Sequence, residues 1–311
     1  MKIQHDINGT AYRIKELKHH QSSDDSQIGM LKKEFAEHPS RGLNPAKLGA
    51  ILIEAEQGNL MALADLAEDM EEKDPHIYAE VAKRKNALLN VDWLISPPRN
   101  ASAAEKADAE LINEILLDMG CIDDIILDMA DGILKGYSCL EKDWVQRDGL
   151  WVPNTIEQRP QRWFQTHPEN QNELRLRNQS TEGAALRPFN WIYHQHKAKS
   201  GYIGRANLAR VLAWPFLFKN YSVRDLAEFL EIYGLPLRLG KYPNGADDRE
   251  KASLLQALMS IGHNAGGIIP KGMEIDFHNA ASGQADPFDL MISWCEKSQS
   301  KAILGGTLTS Q

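Results

Sequence analysis

Cysteine and long apolar runs are both scarce in this chain of 311 residues. The three cysteines, Cys121, Cys139 and Cys295, lie far apart and form no CxxC pair. This argues against a disulfide framework or a structural zinc site and for reduced thiols in a cytoplasmic-type compartment. The longest apolar run, residues 211–218, contains eight residues including Pro215, whereas a membrane-spanning helix needs about 20. The first residues also lack the apolar core and cleavage site of a secretory signal.

Motifs that bind nucleotides or cofactors are missing as well. Residues 201–204 (GYIG) and 262–267 (GHNAGG) contain glycines, but neither segment matches GxxxxGK[ST], nor GxGxxG between a strand and a helix. We therefore expect turns or subunit-contact loops at these glycines, and no cofactor. Cys139 falls in a predicted strand and is expected to be a core residue rather than a nucleophile.

Charge is present but unevenly distributed. The formal net charge is −8. Residues 101–131 contain nine acidic residues against Lys106, and residues 54–74 contain eight against Lys73. The remainder holds 33 basic and 26 acidic residues. Tight, sequence-independent wrapping of DNA needs many cations, so this composition argues against that class. We interpret the nine carboxylates of residues 101–131 as solvated helical faces, and residues 60–72 as an acidic, amphipathic helix.

Apolar spacing and capping residues predict an α+β, mainly helical fold. Asn44-Pro45 and Asp74-Pro75 each place a capping residue before a proline at the first helical position. In the helix after Asp74 we expect Ile77, Val81 and Leu88 to form the buried stripe. Further helices are expected at residues 30–37, 60–72, 101–119, 123–134, 246–261 and 286–304, and either two helices (206–218, 221–233) or one long helix strained at Pro215.

Strands are expected mainly in the centre of the chain. Residues 137–146 and 150–158 alternate in period two across Arg147-Asp148-Gly149, which predicts a β-hairpin with an Asp-Gly turn. Additional strands are predicted at residues 91–96, 162–166, 174–177, 191–194, 236–241, 267–270 and 273–277, the last two as a pair.

In the helix predicted over residues 101–119 we expect Leu111, Ile112, Ile115 and Leu116 to face the core.

Two groups of titratable residues suggest enzyme chemistry. His194 and His196 would lie on the same side of a strand, and Glu110 and Glu114 lie on an acidic helix. The histidines lack a nearby acidic or cysteine partner, so a surface pair is favoured over a metal site, which needs three or four ligands. The carboxylates are more typical of plain surface than of acid–base catalysis. An enzyme with an unrecognised carboxylate or histidine site stays open as an alternative.

Two groups of basic residues suggest contact with nucleic acid. The first group consists of arginines around Trp163 and Phe164, whose aromatic rings could stack on bases if they were exposed. We favour a core position for these rings with the arginines at the rim. A nucleic-acid-binding module stays open as an alternative. The second group can contact a phosphate backbone, but its few cations would bind the backbone firmly only if a symmetric assembly brought several copies of the group together. The first group consists of Arg159, Arg162, Arg175, Arg177 and Arg187, and the second of Lys241, Arg249, Lys251 and Lys271.

Residues 207–277 resemble the portal proteins of Mu-like bacteriophages and prophages. The resemblance rests on the order and spacing of short motifs, among them WPF at 214–216, GLP at 234–236, GKY at 240–242 and IPKG at 269–272. Further matches occur upstream (KRKN at 83–86, VDW at 91–93, KGYS at 135–138) and downstream (SKAILGGTLT at 300–309). No single motif is catalytic.

The resemblance implies a non-enzymatic, ring-shaped DNA conduit, a dodecamer in related phages, at one vertex of the viral capsid. Such a ring would serve genome packaging and ejection, would contact the terminase large subunit, capsid proteins and head–tail adaptor proteins, and would be part of the virion after assembly in the host cytoplasm. No membrane partner is implied, and hydrolysis of adenosine triphosphate would belong to the partner motor. Lys241, Arg249, Lys251 and Lys271 would face DNA or terminase.

The same resemblance implies a division of the chain into portal segments. Family members continue beyond SKAILGGTLTS, so the chain is expected to represent the N-terminal part of such a protein. The segments are an N-terminal arm (1–43), a wing-like α+β domain with a β-rich centre (44–200), a stem helix region (201–234), a small α/β clip-like unit (235–283) and a returning helix (284–311).

Overall fold

The structure of the protein is a computed structural model that describes residues 4–5, 11–22, 42–178, 180–233, 238–243, 245–260, 266–270 and 286–307. Helices predominate over short strands in these residues, which confirms the expected α+β, mainly helical class. The described residues group into two compact units, one drawn from Met1–Leu217 and Glu296–Gln311 and the other from Phe218–Cys295.

Three of the seven helices described in the first unit begin at a residue whose side chain accepts hydrogen bonds from backbone N–H groups. The Asn44 side chain accepts a hydrogen bond from Lys47 N at 2.8 Å, and the Asp74 carboxylate accepts from His76 N at 3.0 Å and Ile77 N at 3.3 Å. These caps confirm the two predicted helix starts. The helices are α1 (Ile14–Leu17), α2 (Pro45–Glu56), α3 (Met61–Lys73), α4 (Pro75–Leu88), α5 (Ala103–Met119), α6 (Ile122–Ala130) and α7 (Gly132–Lys135).

The β-rich centre of the first unit contains two small antiparallel sheets. Strands β3 (Tyr137–Arg147) and β4 (Leu150–Arg159) form the predicted hairpin, with positive φ at Asp148 (49°) and Gly149 (84°). Such angles are those of a two-residue hairpin turn. The two sheets have the orders β4–β3–β8 and β5–β6–β7. The other strands are β1 (Gln4–His5), β2 (Ala11–Tyr12), β5 (Phe164–Thr166), β6 (Leu174–Leu176), β7 (Ala184–Ala185) and β8 (Trp191–Gln195).

The core of the first unit connects early and late parts of the chain. Gln299 Nε2, near the chain's end, donates to Asp74 Oδ2 at 2.9 Å, and His76 Nε2 lies 2.7 Å from Ser300 Oγ. Gly204 packs so closely that a Cβ atom there would lie 2.2 Å from the carbonyl oxygen of Ala55, which supports a structural role for this glycine. The largest fully buried side chains include Leu48, Leu66, Met70, Ile77, Tyr137, Leu140, Phe164, Leu212 and Phe216.

The second unit contains parts of two long helices and a small strand–helix–strand motif. Helix α8 (Ala209–Tyr233) is continuous through Pro215, which decides between the two alternatives for this region. Helix α10 (Asp286–Leu304) has the predicted bounds, and its Phe288 ring lies 5.8 Å from that of Phe229 in α8. Strands β9 (Arg238–Tyr242) and β10 (Gly266–Pro270) pair in parallel, and α9 (Asp248–Ser260) lies between them in the chain.

Three expectations about local structure are wrong. Residues 91–96 form no strand, and Leu94 is 82% exposed. No strand among the described residues lies beside them to complete a ladder, so propensity alone does not make them a strand. Leu88 is exposed rather than buried, and so are Leu111 and Ile112. Ala109 is the buried residue of α5, while Ile115 and Leu116 are half-buried.

Some predicted features lie outside the described residues. They are the helix at residues 30–37, the helix end at Gly234, Lys271, and the strand at residues 273–277 with its expected pairing.

Candidate functional site

The small unit around β9 and α9 holds the cations predicted to face DNA. Lys241 lies on β9 and Arg249 on α9, and both side chains are exposed. Lys251 lies two residues after Arg249 on α9 and is half-buried, while Lys271 falls outside the described residues. Strands β9 and β10 pair in parallel, and in their register Lys241 lies opposite Ile269. Three of the four predicted cations therefore belong to one described motif.

Acidic residues moderate the positive charge of this motif. Lys251 Nζ lies 3.1 Å from Asp248 Oδ1 and 5.6 Å from the centre of the Tyr242 ring. The hydrogen bond and the charge of Asp248 raise the pKa of Lys251. Asp247 and Glu250 each accept a hydrogen bond from the other's backbone N–H and so cap α9. The motif thus offers a phosphate a few cations next to carboxylates, which is suited to brief contact rather than tight binding.

The arginines of the β-rich centre form intramolecular contacts. Arg159 Nε lies 2.9 Å from the buried Glu141 carboxylate, and Arg162 Nε lies 3.6 Å from Asp65. Arg175 contacts Glu173, Arg177 donates to Asn59, and Arg187 is half-buried. Trp163 and Phe164 are buried, so their faces are not available for stacking on bases. These contacts support the interpretation of core aromatics surrounded by arginines.

The two histidines of β8 and the residue after it lie close together. The rings of His194 and His196 are 6.3 Å apart. Burial lowers the pKa of both, and the neighbouring guanidinium of Arg84 further lowers that of His196. Among the described residues, no group of three His, Cys, Asp or Glu side chains is arranged to hold a metal ion. Cys139 is fully buried, and burial raises the pKa of its thiol, so a thiolate nucleophile is disfavoured there.

The acidic helix α5 is mostly exposed to solvent. A capping box between Ser102 and Glu105 begins the helix, and Gly120 in the left-handed region ends it. Glu110 and Glu114 are exposed. Among the described residues, neither side chain forms an ion pair or a hydrogen bond to His194. The structure therefore does not join the predicted carboxylates and histidines into one site. Apolar Leu117 on the same helix is 64% exposed.

A half-buried ionic cluster was not expected from the sequence. Asp131 Oδ1 lies 3.1 Å from Lys85 Nζ, and Asp131 Oδ2 lies 3.0 Å from Lys135 Nζ and 2.5 Å from Gln161 Nε2. Burial by itself raises the pKa of Asp131, but the two ammonium groups outweigh burial and lower it below its ordinary value. Glu71 also contacts Lys85 at 2.8 Å. These residues line a cleft of about 530 Å³, and only the four-residue spacing of Asp131 and Lys135 was visible in the sequence.

The buried carboxylate of Glu141 binds residues 21–22 near the start of the chain. Glu141 on β3 accepts hydrogen bonds from the backbone N–H of Ser22 at 2.9 Å and from its hydroxyl at 2.5 Å. Burial raises the pKa of Glu141, but the hydrogen bonds from Ser22, Arg159 and Gln21 together lower it. Gln21 Nε2 also donates to the carbonyl of Ala185 at 2.7 Å. Residues 21–22 therefore lie against the β-rich centre, and the contact is too distant in sequence to predict.

An apolar groove of about 500 Å³ lies within the second unit, lined by Phe218, Pro287, Leu290, Met291 and Trp294. Leu290 is 73% exposed and Trp294 is 53% exposed. Exposed apolar surface of this kind marks a contact site for another molecule. The described helices include none that is both long and apolar enough to cross a membrane.

An exposed acidic helix, an apolar groove and a small motif with exposed cations are typical of the class of proteins that contact other macromolecules. The family model described as the portal protein of Mu bacteriophage matches residues 64–311. The chain belongs to this portal protein family, which confirms the resemblance predicted from its motifs.

Two curated relatives are similar over nearly all of the chain. The Mu-like prophage FluMu protein gp29 of Haemophilus influenzae (strain Rd) is 54% identical over 308 residues, which cover 98% of this chain and 59% of the relative. The portal protein of Escherichia phage Mu is 52% identical over 289 residues, which cover 93% of this chain and 56% of the relative. The chain thus spans less than two thirds of the length of either relative.

Proposed function

We propose that the chain is a subunit of a phage portal, a ring-shaped conduit for double-stranded DNA at one capsid vertex, used in genome packaging and ejection. The observation that carries the proposal is the family match over residues 64–311, together with 52% identity to a relative named portal protein. The role is structural, and the ring would be a dodecamer like those implied by the family resemblance.

The proposed segments follow the family scheme. Residues 44–200 would form the wing, 201–234 a stem helix, 235–283 the clip and 284–311 the returning helix, with residues 1–43 as an arm. The contacts of Ser22 with Glu141 support an arm that lies against the wing. The continuity of α8 through Pro215 supports a single stem helix.

The proposed contact with DNA is weak. A conduit must let DNA slide, and each phosphate contact by a cation adds to both affinity and salt dependence. Lys241, Arg249, Lys251 and Lys271 would approach DNA or terminase, and the pairing of Lys251 with Asp248 weakens the contact. Ring symmetry would repeat these few cations around one axis.

The proposed partners are the terminase large subunit, capsid proteins and head–tail adaptor proteins, and the location is the portal vertex of the virion after assembly in the host cytoplasm. Hydrolysis of adenosine triphosphate would belong to the terminase motor. The net charge of −8 over these 311 residues suits a surface that DNA passes without being held.

Negative-stain electron microscopy and sedimentation velocity of the purified chain test this proposal. We expect ring-shaped particles with a central opening, and particles that stay monomeric at all protein concentrations would contradict ring formation. In a DNA-binding titration we expect weak affinity that is reduced further in Lys241→Gln/Arg249→Gln. The matched control Arg99→Gln/Lys106→Gln removes the same charge from exposed positions of the first unit and should bind DNA like the parent. Equal binding by both variants would contradict the assignment of the cations.

A further inference from the structure

We propose that neighbouring subunits meet head to tail, with an acidic face of α5 on one subunit against a basic loop at residues 197–205 on the next. The inference rests on the proposed ring, because a closed ring requires two different, complementary surfaces on every subunit. Both surfaces belong to the first unit, and neither is used by its core.

The acidic face of α5 consists of Glu110, Leu111, Glu114, Leu117 and Asp118. At 3.6 residues per turn these positions fall within one side of the helix, opposite the buried Ala109. All five side chains are exposed, with Leu117 at 64%. Within the described part of the chain, none of the three carboxylates forms an ion pair. The face therefore presents apolar surface flanked by three negative charges.

The basic loop consists of Lys197, Lys199, Tyr202 and Arg205. It belongs to a stretch, residues 191–217, that contains four basic residues and no acidic one. All four loop side chains are exposed, with Tyr202 at 52%. In the described ranges Lys197 and Lys199 form no ion pair, whereas Arg205 Nε lies 3.6 Å from a Glu56 carboxylate oxygen.

The two surfaces complement each other in charge and composition. Three carboxylates beside two leucines face three cations beside one tyrosine. Exposed ion pairs alone contribute little, so the apolar side chains have to supply most of the affinity while the charges fix orientation and exclude wrong contacts. A second copy of this chain is the occupant we favour, because each copy carries both halves of the contact.

Charge inversion tests the contact. Glu110→Lys/Glu114→Lys and Lys197→Glu/Lys199→Glu should each weaken self-association on the order of a hundredfold, because attraction becomes repulsion. An equimolar mixture of the two variants should associate again, since every contact in an alternating assembly then joins opposite charges. The control Glu169→Lys/Glu182→Lys makes the same change in net charge as Glu110→Lys/Glu114→Lys, but at exposed loop positions away from the proposed contact, and should associate like the parent. Sedimentation velocity measures all four samples, and normal association of either inverted variant alone would overturn the proposal.

Cross-linking of the unaltered protein gives a test that does not depend on the folding of variants. Equal amounts of ¹⁴N- and ¹⁵N-labelled chain are treated with a carbodiimide, which joins carboxylates directly to lysine amines, and linked peptides are identified by mass spectrometry. We expect mixed-isotope links from Glu110 or Glu114 to Lys197 or Lys199.

The two experiments separate this inference from the proposed ring. Rings without mixed-isotope links between these residues would overturn the surface assignment and leave the portal function standing. Such links in a sample that forms no rings would support the contact and overturn the ring. If Lys197→Glu/Lys199→Glu loses DNA binding but associates normally, the loop contacts DNA rather than a second copy, and the proposal fails.

Discussion

The two acidic stretches of the chain carry almost the same surplus of negative charge, but their acidic side chains lie in different surroundings. In residues 54–74, which include α3, Asp65, Asp69 and Asp74 are buried, and each contacts a basic or amide group. In α5 the carboxylates of Glu110 and Glu114 point into solvent. A similar surplus of negative charge is therefore partly buried and paired in one stretch and lies mainly at the surface in the other.

The difference teaches that helix packing, rather than local charge density, decides the role of an acidic residue. Helix α3 contributes seven buried residues, whereas α5 contributes Ala109. A carboxylate on a helix that is surrounded by other elements lies close to hydrogen-bond donors of those elements. A carboxylate on a peripheral helix is solvated by water instead. Asp131 supports this view, because it lies in the second acidic stretch but is held by Lys85 and Lys135.

The largest expected effect that tests this comparison is at Asp74. Asp74→Ala removes the cap of α4 and leaves the Gln299 amide without its acceptor, so the free energy of unfolding should fall by about 2–4 kcal/mol. Asp74→Asn keeps an oxygen that can cap the helix and should lose less. The exposed counterpart Asp118→Ala should change the value by less than about 0.5 kcal/mol. Urea denaturation measures all three, and equal losses at Asp74 and Asp118 would contradict the distinction between the stretches.

A smaller effect, dependent on pH, is expected at Asp131. Asp131→Asn should lower the free energy of unfolding by about 2 kcal/mol at pH 7, because Lys85 and Lys135 lose their shared carboxylate. The pKa of Asp131 is lower in the folded protein than in the unfolded chain, so its contribution is present above the ordinary aspartate pKa of about 4 and is lost as the pH falls through the folded value. Denaturation curves from pH 7 to pH 3 should show the difference between parent and variant narrowing below about pH 4. A difference that stays constant over this range would refute the assigned role of the charge.

The smallest effect, with the opposite sign, is expected on α5. Glu110 and Glu114 are four residues apart on one helical face, so their repulsion destabilises the helix slightly. Glu110→Gln/Glu114→Gln should raise the free energy of unfolding by about 0.2–0.5 kcal/mol at low salt, and the gain should disappear at about 1 M salt. Thermal denaturation at the two salt concentrations measures it. A clear loss of stability would mean that these carboxylates have intramolecular partners.

Much of the local structure could be predicted from the sequence, because capping and turn chemistry involve neighbouring residues. Asn44-Pro45 and Asp74-Pro75 began helices, Asp148-Gly149 formed the hairpin turn, and Asp286 began the last helix. The family could also be predicted, since the order of short motifs is itself a property of the sequence.

Contacts between distant residues could not be predicted. Glu141 contacts Ser22 from 119 residues away, and no periodicity indicates such a contact. Residues 91–96 have the composition of a strand, but a strand depends on a neighbouring strand that the sequence does not specify. For the same reason the exposure of Leu111 could not be read from the apolar spacing of α5, because spacing predicts a face without showing what covers it.

The hydrogen bond between Gln299 and Asp74 links residues 225 positions apart, which has a consequence for biosynthesis. At about 5–20 residues per second, a ribosome needs roughly 10–45 s to reach Gln299 after adding Asp74. During that time α4 is present without α10. Ser300 and Ile303 of α10, which contact or bury this part of the folded protein, have not yet been added to the nascent chain. This part of the fold can therefore be completed only after α10 has been synthesised, whereas the caps of α2 and α4 need only neighbouring residues and can form earlier.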